Sequence, residues 1–451
     1  MARRDALTLP VSTGTAAARA AYEAALASFL PSHGDPLAAI EPALADDPAF
    51  VMGHALRAGL AVAAWDKGAL PLLSRSLRAV LPFAATANER ERAHLAAARA
   101  WLAGEYRQAA EQYVDCLRNW PGDLLALRLA QACHFFIGRS HGLLDSVELV
   151  LPHWRPSMPG YEHVLAMHAF ALAENGEPRR AEEAGRKAIE IRPRHPFAVH
   201  AVAHALHEQG RVVEGAQWLE SRAADWATES GLAGHLWWHA ALFQLEVGRI
   251  DRTLAIFDAS FAPRAHAAAL DAADASALLW RLHLEGVDVG DRWRKIADLW
   301  APRAAGAFWP FLDLHAMMAF AAAGRDAEAR SLVAFLEAAA KGQGENAAAV
   351  RDVGLPAWRA GGGVAARAIE AFAREEYGRA AELLTPVRRR IDRLGGSRAQ
   401  REALELTALE AAIRSGRGRL ARELAADRAK TGPTTPRSRV QAARAAFAMA
   451  D

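Results

Sequence analysis

ERAHLAAARAWLAGEYRQAAEQYVDCLRNWPGD, residues 91–123, holds the pattern on which the fold turns. Ala and Leu recur at helical spacing up to Leu102, and the run stops at Gly104. A second amphipathic run then carries Tyr106, Ala109, Tyr113 and Leu117 to Pro121. Gly suits a helix end because it enters the left-handed C′ conformation without strain. Gly68, Gly104, Gly138, Gly176, Gly210, Gly248, Gly286 and Gly324 repeat this stop at intervals of 34–38 residues. A fixed period of that length marks an array of helix pairs, each burying on its neighbour a face it cannot bury alone.

The array extends outward from there. Residues 14–30 and 35–45 read as a further pair before Gly68. Beyond Gly324 the register loosens. Glu375-Glu376-Tyr377 takes one turn position and Gly416 another. Gly361-Gly362-Gly363 reads as a break, TGPTTP (431–436) as a loop, and residues 438–449 as a final helix. The expected architecture is all-α, about nine pairs in one chain of 451 residues, with a soft boundary that separates 1–345 from 346–451.

Composition agrees. Ala-rich, Arg- and Glu-laced sequence with few β-branched runs favours helix, and 52 % apolar residues supply a large core. A formal charge of +2, from 54 basic and 52 acidic side chains, argues against nucleic acid or an anionic membrane as main partner. The opening MARRDALTLPVSTG has no apolar run of the signal-peptide kind, and no window of about 18 apolar residues occurs. Cys116 and Cys133 are too far apart for a CxxC motif, and so few cysteines suit a reducing compartment. The expectation is a soluble cytoplasmic protein.

With its interhelix Ala109 and closing Pro121, the unit at 91–123 resembles the tetratricopeptide repeat. Longer strings are more specific: PGYEHVLAMHAFALAENG (159–176), AVHAVAHALHEQGR (198–211), HLWWHAALFQLEVGR (235–249), DASALLWRLHLEGVDVGDRW (274–293), DLHAMMAFAAAGR (313–325) and GGSRAQRE (395–402). Their order and spacing resemble the tetratricopeptide repeat protein 38 family over roughly residues 50–430. The chain departs from that pattern at Glu402, where Asp is usual, and at Ala171–Glu174. The resemblance implies a right-handed superhelical solenoid, with the first helix of each pair on the inner wall. It implies no activity.

If each turn Gly is numbered 15, positions 2, 5, 9 and 12 share one helical face, being three or four residues apart, and the resemblance implies that this face lines the inner wall. His200, His204 and His207 then fall at 5, 9 and 12, His235 and His239 at 2 and 6, and His315 at 6. Glu174, Glu208 and Glu246 all fall at 13, and Trp237, Trp238 and Trp280 lie among them. Three readings compete for these residues. They can be buried, hydrogen-bonded core groups. They can hold a divalent metal, since His200 and His204, and equally His235 and His239, sit at i and i+4, and a pair on each of two helices gives four ligands. They can do His–Glu acid–base chemistry without metal. HEQGR at 207–211 is not HExxH, and neither GxSxG nor a P-loop is present. The leading expectation is a repeat protein that binds a small molecule or short peptide against His200, His204, His207, His235, Trp238, His239, Glu246 and His315. The alternative is an enzyme, metal-dependent or acid–base, that uses the same wall.

Overall fold

The computed structural model describes residues 3–264, 268–303, 308–341 and 361–448. The helices in chain order are α1 (Ala16–Phe29), α2 (Pro36–Asp46), α3 (Val51–Ala63), α4 (Leu70–Ala79), α5 (Glu89–Leu102), α6 (Tyr106–Asn119), α7 (Leu124–Phe136) and α8 (Ser140–Val150). Then come α9 (Tyr161–Glu174), α10 (Pro178–Ile191), α11 (Pro196–Glu208), α12 (Val212–Ser221), α13 (Ala223–Trp226), α14 (Ala233–Glu246), α15 (Ile250–Ile256) and α16 (Ala269–Leu284). The chain continues through α17 (Arg292–Trp300), α18 (Pro310–Ala322), α19 (Asp326–Ala340), α20 (Gly363–Ala373), α21 (Tyr377–Leu384), α22 (Arg398–Arg414), α23 (Gly418–Thr431) and α24 (Pro436–Phe447). Among the described residues, the one sheet is a two-residue antiparallel pair, Arg3–Arg4 on Pro10–Val11, with Arg3 opposite Val11. The all-α expectation is met. No helix among the described residues is long and apolar enough to cross a membrane.

The turns explain the pairing. Gly104, Gly138, Gly176, Gly210, Gly248, Gly286, Gly324 and Gly416 all take positive φ, and so does Glu375. After each, the next N–H donates to the carbonyl five residues back: Glu105 to Ala100, Arg139 to His134, Glu177 to Leu172, Arg211 to Leu206, Arg249 to Gln244. Val287 to Leu282, Arg325 to Phe320, Glu376 to Ala371 and Arg417 to Ala412 complete the set, all at 2.8–3.0 Å. This is the Schellman closure, which satisfies carbonyls that the helix end leaves open. Gly68 departs from the expectation. The left-handed residue there is Trp65, and Gly68 sits in a short 3-10 turn with its N–H on the Asp66 carboxylate.

Residues 1–205 and 222–233 form one compact unit, and residues 206–221 and 234–451 another. The boundary expected near residue 345 lies outside the described residues. In the first unit, α7 and α9 are buried on nearly every side, whereas α6 buries only the Tyr106, Ala109, Ala110, Tyr113, Cys116, Leu117 face. In the second unit, α16 and α18 are buried all round and α17 buries Trp293, Ile296, Ala297 and Trp300. A helix apolar on all faces is an inner helix, and an amphipathic one covers it. Helices also approach closely. A Cβ on Gly185 of α10 would stand 2.6 Å from the Val202 side chain of α11, so only glycine allows that approach.

Candidate functional site

In the first unit, α11 starts at Pro196, with the His195 Nδ1 accepting from the Ala198 N–H at 3.1 Å. The i, i+4 spacing then stacks His200 and His204 on one face. Their Nε2 atoms are 2.9 Å apart, with the ring planes at 83°. Both are buried, at 5 % and 1 % exposure. Behind His204 stands the Glu174 carboxylate of α9, 3.6 Å from Nδ1. Phe170 stacks on His200.

The second unit builds the same arrangement on α14. The Nε2 atoms of His235 and His239 are 3.2 Å apart, with the rings at 85°. His235 Nδ1 lies 2.5 Å from Asp274 Oδ2 on α16. The buried Asp274 carboxylate also accepts from Gln400 Nε2 at 2.9 Å. Gln400 is fixed by its place in α22, where Ser397 caps the helix and Gln400 returns a bond to the Ser397 N–H at 3.0 Å. That motif is the capping box. Trp238 stacks on His235 with ring centroids 5.2 Å apart, and Arg281 lies over Trp238 at 5.7 Å. Arg281 in turn donates to the Ala399 carbonyl and stands 3.5 Å from Glu402. The contacts close into a ring: His235, Asp274, Gln400, the first turn of α22, Arg281 and Trp238.

The carboxylates decide what each pair can do. Asp274, 2.5 Å from His235 Nδ1, holds the proton there and leaves the Nε2 lone pair outward. Glu174 stands further from His204 Nδ1, at 3.6 Å. Two Nε2 atoms about 3 Å apart either share a hydrogen bond, one donating to the other, or share a cation. Two nitrogen ligands on one tetrahedral ion, each at ~2.0–2.1 Å, stand roughly 3.3 Å apart. The His235–His239 separation of 3.2 Å is near that spacing; the His200–His204 separation of 2.9 Å is that of an N–H···N hydrogen bond, and an ion would open it by a few tenths of an ångström.

His207 and Glu246 belong to a different part of the second unit. His207 is buried, and Glu208 stands 3.9 Å from its Nδ1, too far for a hydrogen bond. Burial pulls the His207 pKa down, but Glu208, Glu402 and Glu246 outweigh it and hold it above the usual value. With Glu208, Arg388, Arg398, Glu402 and Arg428, His207 lines a cavity of about 260 Å³. His315 is tied to its own helix. Its Nδ1–H donates to the Phe311 carbonyl at 2.7 Å, and burial pushes its pKa down to about 4. It is a neutral, buried imidazole.

A second cluster, in the first unit, also has ligand types at short range. Atoms of His94, Cys116 and Asp123 lie within 4.8 Å of one another. Here the carboxylate is already engaged, by Arg90 at 2.6 Å and His94 at 2.8 Å, and Arg90 also pairs with Asp5 at 2.9 Å. Burial opposes ionisation of Asp123, yet Arg90 and His94 hold its carboxyl well below the usual range. Burial and Asp123 push the Cys116 thiol far up, so without a metal it stays protonated. This is a buried ion network that fastens α5 to the loop before α7.

The sequence marked the four histidines, Glu174 and Trp238, but not Asp274, Gln400, Arg281 or Arg428. The SRAQ string at 397–400 fits the S-x-x-Q pattern of a helix start, a local signal that says nothing of the target of Gln400. Compared with models of known protein families, the chain matches none.

Proposed function

We propose that the chain is a tetratricopeptide-type solenoid, similar to tetratricopeptide repeat protein 38, in which each histidine pair supplies ligands to a divalent transition metal. His200 and His204 do so in the first unit, faced by Glu174, and His235 and His239 in the second, where Asp274 orients His235. The carrying observation is the recurrence, within each unit, of an i, i+4 imidazole pair with its Nε2 atoms about 3 Å apart and a carboxylate behind one ring. An all-imidazole donor set selects Zn, Cu, Ni, Co or Fe over Mg and Ca, which prefer oxygen. The nine-fold recurrence of one helix-end closure supports the solenoid, because identical turns repeat identical pair geometry. The metal serves ligand binding in the cytoplasm: a small molecule docks beside it, against Trp238.

Metal analysis of the purified full chain tests this. At least one transition-metal ion per chain is expected. The His200→Ala/His204→Ala and His235→Ala/His239→Ala variants should each lower metal affinity at the pair removed at least 100-fold, whereas His315→Ala leaves it unchanged. A chain that takes up no Zn, Ni or Fe would refute the metal altogether.

A further inference from the structure

The second unit contains a cavity that the histidine pairs do not explain. It opens between the end of α11, the 3-10 turn Arg388–Leu394, the first turn of α22 and the end of α23. Its wall carries five arginines, at 388, 389, 398, 401 and 428, together with His207. Four acids, Glu208, Asp392, Glu402 and Glu405, share the wall. Three of these are already engaged. Glu402 is bound by Arg428 at 2.7 Å, Glu405 by Arg428 at 3.2 Å, and Glu208 by Arg398 at 3.3 Å. Glu405 is further pushed towards its neutral form by burial and by Glu402.

The uncommitted donors are cationic. Arg388 pairs with Asp427 through Nη2 at 3.2 Å, while its Nη1 is buried without a hydrogen-bond partner among the described residues. His207 Nδ1 is likewise buried without a hydrogen bond, the Glu208 carboxylate standing 3.9 Å off. Buried polar groups are nearly always satisfied, and two unsatisfied donors on one cavity wall mark the place of an acceptor. Arginine forks match carboxylate and phosphate oxygens in particular. We infer that this cavity, with Arg388, His207 and Arg398 as its contacts, is a receptor for a small anion bearing a carboxylate or a phosphate monoester. Its volume of about 260 Å³ exceeds the ~150 Å³ that admits benzene in an engineered cavity, and is below that of most drug-sized sites. The occupant is therefore a compact molecule of a few carbons. The first turn of α22 ties the cavity to the histidine pair. Arg398, Arg401 and Glu402 face the cavity while Gln400 holds Asp274 behind His235.

Calorimetric titration of the full chain with inorganic phosphate and with succinate, and with tetramethylammonium as cationic control, tests the inference. At least one anion should bind saturably at millimolar concentration or below, and the cation should not. Phosphate alone assigns phosphate monoesters; succinate alone assigns carboxylates. Arg388→Gln should weaken binding at least tenfold, whereas Arg419→Gln, at an exposed site on α23, should leave it unchanged. The His235→Ala/His239→Ala variant, in the same unit as the cavity, separates this site from the metal. Anion binding retained there supports the cavity even if the metal proposal fails. Binding that vanishes with those histidines places the anion on the metal and overturns the inference. So does absence of saturable binding by either anion, or an Arg388→Gln protein that binds like the parent.

Discussion

A neutral imidazole has one lone pair, and the group at its other nitrogen decides where that lone pair points. Asp274 makes this choice for His235, and Gln400 fixes Asp274. Asp274→Asn should therefore keep the fold and lower metal affinity by roughly 10–100-fold, the usual cost of losing an outer-shell carboxylate; metal-competition titration measures it. Affinity unchanged by the substitution would mean that His235 is not a ligand. At this scale the sequence was partly legible. The i, i+4 histidines are local and could be read directly. Asp274 lies 39 residues from His235, and Gln400 a further 126 away, so no local pattern joins them. His315 shared a register with the others but is bonded to its own backbone, which spacing alone cannot reveal.

Helix ends were the most legible elements, because a Schellman closure is set within six residues. Two substitutions test the reading. Glu375 holds φ +62° at a position where the other turns have glycine, and L side chains pay about 1 kcal/mol in that region. Glu375→Gly should stabilise the second unit by about that amount in denaturant unfolding. Gly248→Ala, where φ is +78° and a Cβ meets nothing within 4 Å, should destabilise by a similar amount through backbone strain alone. Gly210→Ala should cost more, since its Cβ would come within 2.5 Å of the Thr434 carbonyl oxygen. Equal losses at 210 and 248 would contradict the packing at Gly210. Gly68 was misread because Trp65 supplies the left-handed residue first, its indole held by the Ala132 carbonyl at 3.0 Å.

Across the molecule, buried neutral histidines set the response to acid. Burial lowers His134 to about 4 and His195 to about 3 in the first unit, and His315 to about 4 in the second. Their folded values lie below the unfolded value of about 6.5, so on acidification the unfolded chain takes up protons first. Their contribution is complete above pH ~6.5 and is lost as pH falls towards 4, on the order of 1–3 kcal/mol each. His207 has the opposite sign: its contribution is present below ~6.5 and lost as pH rises through its raised value. The three lowered groups outweigh it, so the denaturant midpoint should drop steadily between pH 6.5 and 4.5. A midpoint flat over that range would show these imidazoles to be solvated. Helix content and the pairing were legible from composition and period. The division into the two compact units was not, because it cuts α11 between Ala205 and Leu206, inside a continuous helical pattern.

X-ray absorption at the edge of the bound metal tests the central claim most directly. At least two imidazole nitrogens at ~2.0–2.1 Å, with the outer-shell scattering of the rings, are the expected result. A sulfur scatterer near ~2.3 Å would place the metal on Cys116 instead, and a shell of oxygens would leave the four histidines as core residues.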